Sequence, residues 1–182
     1  MPPDDIRIAV GVEAYFSAFS QQCHLLPGTL EMLGALKDHY RLGLLSNFTH
    51  GPAAWRIIDE AGLTPLFDVV LISGELGYRK PHPVVFQRLV ECLGVGREQI
   101  LYVGDDPGPD IVGAREAGIQ PVWTTCAQDM NLRYVSDLLY KGVPGPDGSV
   151  PRISSWDDLL SLLGKECNAR RDKDPLAEPP AL

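Results

Sequence analysis

Apolar and polar positions change period several times along the chain, and each change marks an element. Residues 6–20, IRIAVGVEAYFSAFS, fit two periods. Ile6, Ile8, Val10 and Val12 alternate as in a strand, whereas Val12, Tyr15, Phe16 and Phe19 follow helical spacing, the reading favoured here. Pro27 and Gly28 break the chain, after which Leu30, Leu33 and Leu36 continue as an amphipathic helix. RLGLLSN (41–47) is a short apolar run ending in small polar residues, the pattern of a buried parallel strand. PAAWRIIDEAGL (52–63) predicts a helix stopped at Gly62. FDVVLIS (67–73) predicts a strand, and GELGYRKPHP (74–83) a loop. VVFQRLVECLG (84–94) predicts a helix entered through Pro83. QILYVG (99–104), DIVGAREAG (110–118) and IQPVWTT (119–125) read as strand, helix and strand. SSWDDLLSLLG (154–164) reads as a helix capped by Ser154 or Ser155.

Strands thus alternate with helices over residues 41–124. This predicts an α/β fold with a doubly wound parallel sheet and right-handed crossovers. KGVPGPDGSVP (141–151) is a turn-rich surface loop, and residues 165–182, polar and proline-rich, predict a disordered tail.

A chain of 182 residues is long enough for one domain with a sizeable core. The formal net charge of −8, with no basic stripe, argues against a nucleic-acid partner. No run approaches the roughly 20 apolar residues of a membrane span. The four cysteines, Cys23, Cys92, Cys126 and Cys167, form no C-x-x-C pair. Together with an N-terminus lacking the features of a signal peptide, they read as reduced thiols of a cytoplasmic protein.

Candidate chemistry collects at the predicted carboxyl ends of the strands, where open α/β sheets bind ligands. Ser46 and Asn47 end one strand, Lys80 follows the next, and Asp105, Asp106 and Asp110 follow the third. Taken singly, each has a plain structural reading: a turn at Ser46–Asn47, a solvated lysine, a helix N-cap at Asp110. Asp105 is harder to explain so, because a carboxylate at the end of an apolar strand needs a partner. Hard oxygen ligands of this kind suit Mg²⁺.

LLSN, GYRKPHPVVF and GDDPGPDIVGA, in that order, resemble the second, third and fourth motifs of the haloacid dehalogenase-like (HAD) hydrolases, mostly Mg²⁺-dependent phosphatases. The resemblance covers about residues 26–164. It implies a small phosphorylated substrate, held by Ser46, Asn47 and Lys80. Ser46 would hydrogen-bond the phosphoryl group and Lys80 would neutralise charge on nucleophile and phosphate; these two are the implied catalytic residues. Asp105 would bind Mg²⁺ and Asp110 would support the metal or its waters, while Asp106 falls at a variable position. Residues 1–25 resemble the last helix of the family's cap domain.

The family's first motif, Asp-x-Asp-x-Thr after a central strand, supplies the nucleophile and the general acid/base, and it is not found in these residues. The resemblance therefore implies that the first central strand is missing, and that this chain alone has no attacking group. The strands ending at Ser46 and Asp105 would then close up, or residues 6–12 would fill the gap, or a second chain would supply the strand, or the chain would fold poorly. Two other readings stand beside the incomplete phosphatase. A non-catalytic phosphate- and metal-binding module would keep the mouth without turnover. A receiver domain would place its acidic pair near the N-terminus and its lysine last, the reverse of the order here. The chain has no G-x-S-x-G elbow and no P-loop.

Overall fold

The computed structural model describes residues 6–132 and 145–173. Helix α1 (Ile6–Ser20) is followed by α2 (Thr29–Lys37), β1 (Gly43–Ser46), α3 (Gly51–Glu60) and β2 (Val69–Ile72). A short α4 (Ser73–Leu76) precedes α5 (Pro83–Leu93) and β3 (Leu101–Gly104). A π-helical turn (Pro107–Val112) runs into α6 (Gly113–Glu116), then β4 (Gln120–Thr124), α7 (Cys126–Asp129), β5 (Arg152–Ile153) and α8 (Trp156–Lys173). No helix among the described residues is long and apolar enough to cross a membrane.

All strand pairs are parallel, but they form two sheets, β1–β2 and β3–β4–β5. β1 and β3 are not hydrogen-bonded neighbours, and residues 6–12 are helical and join neither sheet. The two sheets nevertheless keep the same sidedness, because successive strand side chains point to opposite faces. Leu45 of β1, Val69 and Leu71 of β2 and Tyr102 of β3 join one cluster with Val85, Phe86 and Leu89 of α5 and Ala114 of α6. On the other face, Leu44, Val70 and Ile72 pack with Ala54 and Ile58 of α3. Leu101 and Val103 pack there with Met32 and Leu36 of α2 and Leu159 of α8. Helices on both faces of parallel strands are the doubly wound arrangement the sequence pattern predicts.

Local signals explain where the helices start and stop. α5 begins with Pro83, its N-cap His82 accepts the Val84 N–H at 3.3 Å, and it ends at Gly94 in the left-handed region, φ 66°. His50 caps α3 in the same way, Nδ1 accepting the Ala53 N–H at 3.2 Å. Of the two serines before α8, Ser155 is the cap. Its hydroxyl accepts the Asp158 N–H at 3.2 Å and its own N–H donates back to the Asp158 carboxylate at 3.0 Å, a reciprocal box.

Several expectations need correction. The loop over 74–83 contains the turn of α4. Helix begins at Pro107 rather than Asp110, so Asp110 lies inside the π-helical turn and is not an N-cap. The two-residue β5 and the four-residue α7 escaped the sequence reading because neither is long enough to show a period. α8 runs from Trp156 through Gly164 to Lys173. Glu166, Ala169, Arg170 and Arg171 are strong helix formers, and one glycine costs a helix only about 1 kcal/mol. The tail beyond residue 173, residues 1–5 and the start of the 141–151 loop lie outside the described residues.

Candidate active site

The carboxyl ends of β1 and β3 come together around one lysine. β1 delivers Ser46, half-buried at its end, and then Asn47. The Asn47 amide clasps the backbone of Lys80 from both sides. Its Oδ1 accepts the Lys80 N–H at 2.7 Å, and its Nδ2 donates to the Lys80 carbonyl at 3.0 Å. That clasp fixes where the lysine side chain leaves the loop after α4. Lys80 Nζ then donates to the Leu45 carbonyl of β1 at 3.0 Å and pairs with Asp110 Oδ1 at 2.7 Å. A single ammonium thus links the β1–β2 sheet to the turn after β3.

Asp110 is 3 % exposed and surrounded by donors. Besides Lys80, its Oδ1 accepts the Tyr102 hydroxyl at 3.2 Å, and its Oδ2 accepts the Asp106 N–H at 3.1 Å. The carboxylate reaches this position because residue 104 is glycine. A Cβ there would stand 2.4 Å from the Asp110 Cβ and 2.5 Å from its Cγ. The π-helical turn is what aims Asp110 back over the strand end. The N–H groups of both Asp110 and Ile111 donate to the Asp106 carbonyl, at 3.0 and 3.2 Å. Such turns recur at functional sites. Asp105 sits half-buried at the end of β3, its carbonyl accepting the Trp123 indole N–H at 3.2 Å.

The structure therefore brings Asn47, Lys80 and Asp110 into direct contact, with Ser46 and Asp105 at the adjoining strand ends. Two contributors escaped the sequence reading. Tyr102 and Trp123 both look like strand core in the sequence, and no spacing rule shows that their polar tips turn toward the aspartates. Among the described residues no three His, Cys, Asp or Glu side chains converge as a metal-binding group. The donors would fit Mg²⁺ as part of its shell only: Asp105 offers a hard carboxylate oxygen, and Mg²⁺ usually keeps several waters. Asp110, with both oxygens already holding protein donors, fits as outer support.

Beside the mouth, α1 rests on the chain that follows Asn47. The Phe16 ring stacks on His50 at 4.4 Å and meets Phe48 at 5.6 Å, while Phe19 meets Phe48 at 5.7 Å. Arg56 of α3 pairs with Glu13 at 2.8 Å.

Comparison with known proteins follows the same lines. A family model described as haloacid dehalogenase-like hydrolase matches residues 4–118. The chain is 32% identical over 156 residues to the pyrimidine 5'-nucleotidase YjjG of Escherichia coli, covering 84% of this chain and 63% of that protein. It is 41% identical over 139 residues to the phosphoglycolate phosphatase of Rhodospirillum rubrum, covering 75% and 50%. The chain thus spans between half and two thirds of the length of these relatives. The fold is similar to that of the HAD-hydrolase YfnB from Bacillus subtilis, solved bound to magnesium. That match has a TM-score of 0.68 and 20% identity over 83% of this chain and 61% of that one.

Proposed function

The chain belongs to the haloacid dehalogenase-like hydrolases, and on that premise we propose that it forms the larger part of a Mg²⁺-dependent phosphatase acting on a small phosphorylated molecule in the cytoplasm. The observation that carries this reading is the Lys80 ammonium, held at the strand ends between the Leu45 carbonyl and Asp110. Phosphoryl transfer needs little covalent help from a protein beyond a nucleophile. Its catalysis is mainly positioning and charge stabilisation on the phosphoryl oxygens. A fixed cation with a hydroxyl beside it is suited to that work. In this reading Ser46 hydrogen-bonds the phosphoryl group and Lys80 offsets its charge. Asn47 sets the lysine's origin. Asp105 is the direct ligand for Mg²⁺, with Asp110 behind it. Bound there, Mg²⁺ supplies Lewis-acid stabilisation of phosphate oxygens. The names of the relatives, a pyrimidine 5'-nucleotidase and a phosphoglycolate phosphatase, support the reaction class, and the magnesium of the YfnB structure supports the metal.

The nucleophile has to come from elsewhere, since no Asp-x-Asp-x-Thr segment is present in these residues. The separation of the β1–β2 and β3–β4–β5 sheets supports a further strand between β1 and β3, supplied by a segment other than these 182 residues or by a second chain, and carrying that carboxylate to the lysine. The test is hydrolysis of p-nitrophenyl phosphate with MgCl₂. The expected result is no turnover by this chain alone. A longer form that includes an Asp-x-Asp strand should turn over, and lose activity in Lys80→Ala. Turnover by this chain alone that disappears in Lys80→Ala overturns the supplied-nucleophile reading. Mg²⁺ binding without turnover by the longer form supports a non-catalytic binding module instead.

A further inference from the structure

Tyr102 is a buried side chain at the mouth whose polar end has no task in the reading above. It is the second residue of β3 and 8 % exposed. Its ring packs edge-on against Phe86 of α5, with centroids 5.4 Å apart, a contact a phenylalanine would make equally well. Its hydroxyl donates to Asp110 Oδ1 at 3.2 Å, the same oxygen that Lys80 Nζ approaches at 2.7 Å. The Lys80 ammonium lies 5.7 Å from the Tyr102 ring centroid. Burial first, and then the Asp110 charge and hydrogen bond, push the phenol well above its ordinary value near 10.

We infer that Tyr102 is a positioning residue: its hydroxyl fixes the Asp110 carboxylate, and through it the Lys80 ammonium. An ionised carboxylate oxygen offers about two lone-pair sites. With Lys80 on one and Tyr102 on the other, and Asp106 N–H on the second oxygen, the carboxylate plane cannot rotate. Without the hydroxyl, Oδ1 would keep, among the described residues, the ammonium on its flexible four-carbon stem. The lysine would then keep the Leu45 carbonyl but lose its rigid second acceptor. Supporting partners of this kind typically affect metal affinity or activity by about 10–100-fold when removed. The inference rests on the reading of Lys80 and Asp110 as site residues.

The experiment uses the full 182-residue chain, labelled with ¹⁵N, and follows the Lys80 ammonium signal, identified by its absence in Lys80→Arg. In the wild type that ammonium, buried and held by two acceptors, is expected to exchange its protons slowly with water. Tyr102→Phe keeps the ring against Phe86. It should leave the backbone amide spectrum intact while speeding Lys80 proton exchange by about tenfold or more and weakening MgCl₂ binding by about tenfold. Unchanged Lys80 exchange in a folded Tyr102→Phe overturns the proposal. Should that variant not fold, the wild type decides. A slowly exchanging Tyr102 hydroxyl proton with magnetisation transfer to the Lys80 ammonium supports it, and the absence of such a proton overturns it. If Lys80 exchange responds to Tyr102→Phe but the wild type binds no MgCl₂, the positioning role stands and the Mg²⁺ reading falls.

Discussion

Lys80 and Asp110 form an ion pair of 2.7 Å whose side chains are only 11% and 4% exposed. A pair so buried is strong in one sense and costly in another. Its desolvation offsets much of its attraction, while removal of one partner strands the other charge. Lys80→Ala should therefore destabilise the fold by roughly 3–5 kcal/mol. Lys80→Met with Asp110→Leu should cost less than the sum of the single changes, although the Tyr102 hydroxyl and Asp106 N–H then lose their acceptor. Urea denaturation across this double-mutant cycle measures the coupling. Additive effects would show that the pair is not formed.

Gly104 tests how closely Asp110 is packed. Gly104→Ala places a Cβ 2.4 Å from that of Asp110, and should cost about 1–3 kcal/mol through overpacking. Gly108→Ala, with nothing within 4 Å of its Cβ, is the matched control and should be tolerated. Equal melting temperatures for the two variants would contradict the close approach.

Asp105 is expected to carry direct metal binding. Calorimetry with MgCl₂ should show Asp105→Ala weakened by more than the roughly 10–100-fold typical of a supporting residue, with the fold preserved, since Asp105 lies half-buried at a strand end. Binding unchanged in Asp105→Ala would remove Asp105 from the metal site.

α1 should depend on its rings more than on its ion pair. The Arg56–Glu13 side chains are 35% and 55% exposed, so solvent screens the pair and Arg56→Ala should change stability little. Phe16→Ala removes contacts to both His50 and Phe48, each aromatic pair being worth about 0.5–1.5 kcal/mol beyond its buried area. Hydrogen exchange of the α1 amides measures both. A larger effect from Arg56→Ala would reverse the ranking.

Asp147 gives a pH dependence of known sign. The Ser149 hydroxyl, then Arg115 and the Ser149 N–H, hold its carboxyl down to about 2. In the unfolded chain it would titrate near its ordinary value of about 3.9. As the pH falls the unfolded state binds the proton first. Its stabilisation is thus present above about pH 4 and is lost as the pH falls to about 2. A ¹³C titration should place the native Asp147 midpoint near 2 and move it upward in Ser149→Ala. A native midpoint in the ordinary carboxylate range would refute the contact.

Much of this protein is legible in one dimension because the signals are local. The apolar runs ending at Ser46 and Gly104, the proline that opens α5 and the glycines after α3 and α5 act within a few residues, and they mark the alternation of strand and helix. Ser46, Asn47, Lys80, Asp105 and Asp110 are visible because a parallel sheet exposes ligands at the carboxyl ends of its strands. The sequence also carries, in Gly104, a trace of the close approach behind it. Short pieces such as β5 and α7 have no period to detect.

What the tertiary structure alone decided concerns partners far apart in the chain. That Asn47 spends its amide on the Lys80 backbone, that one ammonium joins Leu45 to Asp110, and that the strands form two sheets all depend on where elements 30 or more residues apart come to rest, and that Tyr102 turns its hydroxyl to the same carboxylate depends on how the turn after β3 folds back over its strand. Periodicity tells which side of an element is apolar. Hydrogen bonds form at about 3 Å with directional preference, and only packing in three dimensions brings specific atoms to that distance.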